Sequence, residues 1–379
     1  MIIFQRAVAG KESDEELYDG AWKELEEAYW QEVVKQGRLK RARTDYFMAH
    51  MLAALKADDV SAAQVATEYK EWAGHAAFPN VSEEINSIIR YADIYKRLDK
   101  VELNQPEERI GRFLRTWDMS VFHPLVLAIG TSDASHVEKT GLYKRIEDYV
   151  VRRDLAGLTR KNFNKVVPSI IRYMQEHGMT VSALDSWFEK TGGQASLMPS
   201  FAELLAGIRE QDAYHILRAP KLRYIFHALE MNLRTGRQER VLFTTEDLHV
   251  EHILPNKWAA NWLLPSGIQA ISEDWSMHAH YSDQSQPLTE TEIHQFTQRE
   301  KLKNTLGNLT LLTQELNPSI GNAGWDKKRS KDGIGDSILM INRELIGSEI
   351  WDEEKIGDRA LILAKAVDKV WPVVAPNAV

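Results

Sequence analysis

Apolar residues recur at spacings of three and four over most of the first 235 positions, which is the period of helices with one buried face. Ser13-Asp14-Glu15-Glu16 reads as a capping box before a run carrying Leu17, Trp22, Leu25, Tyr29 and Val33. Residues 46–55 form a second such run. Ser61 can cap a third, with Val65, Tyr69 and Trp72, and beyond the break at Pro79, Ser82 opens a fourth with Ile85, Ile88, Ile89, Tyr91 and Tyr95. The same spacing predicts helices over about 109–117, 142–153, 161–176, 181–190 and 217–233. No repeat is strong enough to define a solenoid.

The pattern changes near Thr235-Gly236-Arg237-Gln238. Val241 to Thr244 and Leu248 to Ile253 read as extended, a segment rich in proline and polar residues follows from Pro255 to about Thr291, and Leu309 to Leu312 reads as a second strand behind Gly307. Asn317-Pro318 places a capping residue and a first-turn proline at a helix start. Helices over about 330–345 and 353–371 close the chain. The expected fold class is therefore mainly α: a multi-helical domain over residues 1–235, then a small strand, excursion, strand, helix module over residues 236–379.

Composition supports packed domains: 379 residues are 44% hydrophobic and 27% charged. There is no cysteine, which removes disulfides, thiol nucleophiles and thiolate-bound zinc from consideration. No secretory leader and no membrane span are expected, since Met1-Ile2-Ile3-Phe4 runs at once into Gln5 and Arg6 and no apolar run approaches about 18 residues. A cytoplasmic location fits. A net charge of -8 argues against a general nucleic-acid coat but leaves room for a local basic surface.

The candidate chemistry lies in Glu251-His252-Ile253-Leu254-Pro255, Gly307-Asn308 and Asn317. A histidine near its ordinary pKa can take a proton from water. A hard cation such as magnesium can offset charge that develops on a phosphate, held by a carboxylate, an amide oxygen and waters. Neighbours on a strand point to opposite faces, so Glu251 and His252 share a site only where the strand bends or ends, and Pro255 makes an ending there reasonable. His249 lies on the strand face of Glu251, as an additional ligand or as a surface residue. His278 and His280 alternate in a polar stretch and read as solvated loop. Lys327, Lys328, Arg329 and Lys331 could hold phosphates or form a solvated face, and Lys144, Arg145, Arg152, Arg153, Arg160 and Lys161 form a second basic group with the same two readings. Trp325, Trp351 and Trp371 sit at helical apolar positions and are expected in the core.

These residues resemble the HNH, or ββα-metal, nucleases: an acid-His-Ile-x-Pro strand, an Asn-Leu strand and a third His or Asn at the start of a helix. The resemblance implies His252 as general base, Glu251 and Asn317 as metal ligands, and Asn308 as the residue that orders the loop and orients the site. Asparagine at the third position suits Mg2+ or Mn2+ better than tightly held zinc. A closer resemblance is to GmrSD-type, SspE-like restriction endonucleases. It is carried by 249–255, 306–312, Asn317 through Asn322, Trp325, Lys327 and Lys328, by Trp351-Asp352 through Ile356, Arg359 and Trp371, and weakly by Tyr149-Val150-Val151-Arg152-Arg153. It implies a metal-dependent DNA endonuclease that serves as effector of a modification-linked restriction system against phage, with phage or plasmid DNA as substrate and Asn322, Lys327 and Lys328 near the site. It also implies a partner, a ParB-like nucleotide-hydrolysing sensor, whose phosphate loop and Asp-Gly-Gln-Gln-Arg type motif have no counterpart in this sequence. The rival readings are a non-catalytic helical module that binds nucleic acid or a partner, and an RNA-directed HNH nuclease.

Overall fold

The computed structural model describes residues 18, 22–37, 39–75, 78–234, 247–270, 289–313, 316 and 321–374. It is mainly helical and divides into two compact units: residues 1–147 with 159–197, and residues 148–158 with 198–379. The larger part of the second unit thus begins at Met198 rather than near residue 236. The reason is that the helix before that point packs on the strands after it.

In the first unit, a one-turn helix (Ala28–Gln31) leads into a hairpin of β1 (Val33–Gln36) and β2 (Leu39–Ala42). The helical reading of Val33 is corrected here: Gly37 takes a positive φ of 57° and turns the chain back, a conformation open to glycine. Helices α1 (Arg43–Lys56), α2 (Val65–His75), α3 (Val81–Leu98), α4 (Pro106–Trp117) and α5 (His123–Thr131) follow. The cap of α3 is Asn80, whose side chain accepts from the Glu83 amide, and not Ser82. Pro106 opens α4 behind a capping box of Gln105 and Glu108. Helix α5 went unread because His123-Pro-Leu-Val-Leu-Ala-Ile-Gly-Thr131 is apolar on nearly every side and so has no period. Helices α6 (His136–Leu155), α7 (Phe163–His177) and α8 (Val181–Lys190) complete the elements up to Leu197, α6 ending in the second unit.

The core of the first unit holds Trp30, Phe47, Tyr95, Phe113, Trp117 and Phe122. Two histidines lie among these rings. His50 and His123 stand edge to face at 5.0 Å, and the Nδ1 atoms of both are buried without a hydrogen-bond partner among the described residues. Burial holds both rings neutral, pushing His50 well below the ordinary range and His123 down to about 4. Because their folded pKa values lie below the unfolded value, the stability they contribute is intact above about pH 6.5 and is lost as pH falls toward 4. Unfolding by denaturant between pH 7 and pH 4.5 is expected to show stability falling with pH by about 1 to 3 kcal/mol per unit. A His50→Leu variant should flatten that slope; an unchanged slope would refute the assignment.

In the second unit the end of α6 is followed by α9 (Phe201–Glu210), α10 (Ala213–Leu233), β3 (Leu248–His252), α11 (Glu290–Leu302), β4 (Leu309–Thr313) and α12 (Glu353–Val370). Helix α10 is broken at Arg218, where φ is 62°, two residues before Pro220, and it packs on β3, β4 and α12. The expected helix over 330–345 is replaced by two single-turn 3-10 segments and the one-turn helix Arg343–Ile346. Gly333 is non-helical there, Gly335 crosses the Ser330 carbonyl with no room for a Cβ, and Asn342 and Ser337 bond to each other. The extended run at 241–244 and His278 and His280 lie outside the described residues. Arg152 corrects part of the second basic group: it is fully buried and donates to the Pro199 and Trp371 carbonyls and to Asp368. Arg153 is buried too, and in the first unit Arg145 is buried against Asp185. These three arginines are core residues, whereas Arg160 and Lys161 are exposed.

Candidate active site

Strands β3 and β4 run antiparallel with Glu251 opposite Thr310 and His252 opposite Leu309. His252 is the last residue of β3, as the nearby proline suggested. Its backbone is continued by two pinned residues: the Ile253 amide donates to the Asn308 carbonyl at 2.9 Å, and the Leu254 amide to Asn308 Oδ1 at 2.8 Å.

Asn308 uses its whole amide for this. Its Nδ2 donates to the carbonyls of Leu254 at 2.8 Å and Lys303 at 2.7 Å, and its Oδ1 also accepts from Trp351 Nε1 at 3.1 Å. The residue is fully buried. It therefore joins the end of β3, the turn before β4 and the segment before α12, and it leaves no donor for a substrate. From below, α12 holds the same turn: Arg359 donates to the carbonyls of Gly307 and Leu309, and a Cβ on Gly307 would lie 2.4 Å from the Ile356 carbonyl oxygen.

His252 is 7% exposed. Its Nε2 is 3.0 Å from Asn304 Oδ1, and the Tyr214 ring lies 4.4 Å from its own, centroid to centroid. Burial, aided by the positive charges of Lys328 and Lys303 and opposed by the Asn304 hydrogen bond, lowers its pKa to about 4. The imidazole is thus neutral at pH 7 and able to accept a proton. Nδ1 has no hydrogen-bond partner among the described residues.

Glu251, on the other face, meets Lys328. The ammonium is 2.8 Å from Glu251 Oε1 and 2.6 Å from the His252 carbonyl oxygen, with the lysine side chain fully buried. Burial raises the Glu251 pKa and lowers that of Lys328, each partner pulling the other back toward its charged form. This corrects the reading of Lys328 as a phosphate contact: its charge is committed to the end of β3. Lys327, its neighbour, is exposed. It lines an open groove of about 400 Å³ whose walls include Trp262, Trp325, Trp351 and Glu349. Trp325 and Trp351 are otherwise core residues, as expected, and so is Trp371; Trp262 is buried with them.

His249 is exposed on β3, and Asn322 is exposed with its backbone carbonyl bound by Asn261. Asn317 lies outside the described residues. Among the described residues no three histidines or carboxylates cluster as a metal site. Glu251 Oε2 has no hydrogen-bond partner among them and could serve as an oxygen donor. One carboxylate oxygen completed by waters and a substrate phosphate is a set that magnesium accepts and zinc does not favour.

Sequence reasoning missed Asn304, Asp212 and Tyr214. Asn304 follows α11 and stands four residues before Asn308, a spacing that carried a signal. Asp212 and Tyr214, about forty residues upstream of His252, carried none; Asp212 reads only as the cap of α10, which it also is.

Residues 198–366 match the family model described as GmrSD restriction endonucleases, C-terminal domain. The match starts at the residue where the second compact unit resumes. No curated protein matches the chain.

Proposed function

We propose that this chain is a metal-dependent DNA endonuclease of the HNH type, acting in the cytoplasm as effector of a modification-linked restriction system. The observation that carries the reading is the end of β3. There a buried, neutral histidine is held by one ring nitrogen, next to a carboxylate with one oxygen to spare, on a loop fixed by a fully bonded asparagine. The similarity of residues 198–366 to a restriction endonuclease domain supports the same reading.

In this reading His252 takes the proton from the attacking water. Asn308 keeps residues 253 and 254 in place, so that the imidazole does not swing with the loop. Lys328 holds Glu251 on its side of the strand. Glu251 would hold Mg2+ or Mn2+, with Asn317 as second ligand, and the ion would stabilise charge on the phosphate and the leaving oxygen. Lys327, with His249 and Asn322 nearby in sequence to the two strands of the motif, would meet the DNA backbone. A nucleotide-hydrolysing sensor of ParB type would license cutting.

The test is nicking of supercoiled plasmid with magnesium, manganese or EDTA, with structured RNA in parallel. Metal-dependent cleavage of DNA is expected, and Glu251→Gln should lower it at least about 100-fold while folding normally, since the amide oxygen still accepts from Lys328. Cleavage of RNA alone would favour the rival substrate, and unchanged activity of Glu251→Gln would remove the carboxylate from the site.

A further inference from the structure

The nitrogen of His252 that accepts the proton can be assigned from its neighbours. Asp212 caps α10: its Oδ1 accepts from the His215 amide at 3.1 Å, and His215 Nδ1 lies 2.9 Å from Oδ2. An ionised carboxylate only accepts hydrogen bonds. Asn304 approaches it with Nδ2 at 3.4 Å from Oδ2. Turning that amide over would set two acceptor oxygens against each other, so the carboxylate fixes which way Asn304 points. Oδ1 of Asn304 then faces His252 Nε2 at 3.0 Å, and since an amide oxygen also only accepts, Nε2 must carry the hydrogen. The same turn grips the pair twice more: the Tyr214 amide donates to the Asn304 carbonyl at 3.1 Å, and the Tyr214 ring packs on His252.

We propose that Asp212 and Asn304 are positioning residues that set the Nε2–H tautomer of His252 and leave Nδ1 as the atom that receives the proton. The role in cleavage rests on the nuclease reading; the tautomer does not. The arrangement parallels the outer carboxylates that orient imidazoles in other hydrolytic sites, with an amide interposed.

The tautomer is read directly from the ring-nitrogen shifts of protein labelled with 15N-histidine at pH 7, the His252 signals being those lost in His252→Gln. Wild type is expected to show a protonated Nε2 and a bare Nδ1. In Asn304→Ala the restraint is gone, and in Asp212→Asn the amide of Asn304 is free to turn; both should shift the signals toward a mixture. On plasmid DNA, Asn304→Ala is expected to lose about 10- to 100-fold in kcat with little change in KM. A bare Nε2 in wild type would overturn the proposal without need of any variant, and so would an unchanged His252 spectrum in Asn304→Ala. Should wild type fail to cut any nucleic acid yet show Nε2–H lost in Asn304→Ala, the nuclease reading fails and the assignment stands.

Discussion

Replacing His252 with alanine is expected to lower plasmid cleavage by about 10² to 10⁴, the usual contribution of a positioned general base. Burial holds the imidazole in its neutral form, so at pH 7 it is able to accept a proton. No other imidazole is held beside Glu251 on β3: His249 is on the same strand but exposed. The variant should still fold. It loses the contact with Tyr214 and leaves Asn304 Oδ1 without its donor, a cost of about 1 to 3 kcal/mol. The measurement is therefore a pair: cleavage rate, and thermal unfolding of the same sample. A folded His252→Ala protein with full activity would end the assignment of the base.

How far this site was legible depends on what each residue bonds to. The two strands could be read from their own side chains, and the observed antiparallel pair of β3 and β4 ends where Pro255 suggested. The Asn308 side chain bonds to the amide and carbonyl of Leu254, contacts that only the folded turn reveals. Lys328 was misread because Lys327-Lys328-Arg329 looks like a solvated run. The structure starts a single helical turn at Trp325, and position 328, three residues on, falls on the same face as that buried tryptophan. Helical phase, not local charge, decides which lysine is inside. Arg152 was misread for another reason: its partners are carbonyls and a carboxylate at positions 199, 368 and 371, distant in sequence. The module boundary near 236 followed a change in texture, but texture does not report packing, and α10 belongs to the same compact unit as the strands. Asp212 carried no signal along the chain, and Asn304 only its spacing from Asn308; the fold is what brings residues 212, 252 and 304 together.

Asn308→Ala is the substitution with the largest expected effect on stability. Four polar groups depend on that side chain: the buried amide and carbonyl of Leu254 and indole N–H of Trp351, and the half-buried carbonyl of Lys303. Water cannot replace the amide easily at a fully buried position, and each polar group left without a partner costs about 1 to 3 kcal/mol. The losses overlap, since one relaxation can serve two groups, so the sum is taken as about 3 to 6 kcal/mol rather than the full total. For a unit of this size that lowers the unfolding midpoint by roughly 6 to 24 °C. Asn308→Asp is the sharper comparison. A carboxylate still accepts from Leu254 and Trp351 but cannot donate, and it sets negative charge against the carbonyls of Leu254 and Lys303. It should be at least as destabilising as alanine although nearly isosteric, which separates hydrogen bonding from lost volume. Both variants should also lose cleavage at temperatures where they remain folded, because residues 253 and 254 no longer fix the end of β3. An Asn308→Asp protein as stable as wild type would mean that packing, and not the donated pair, holds the turn.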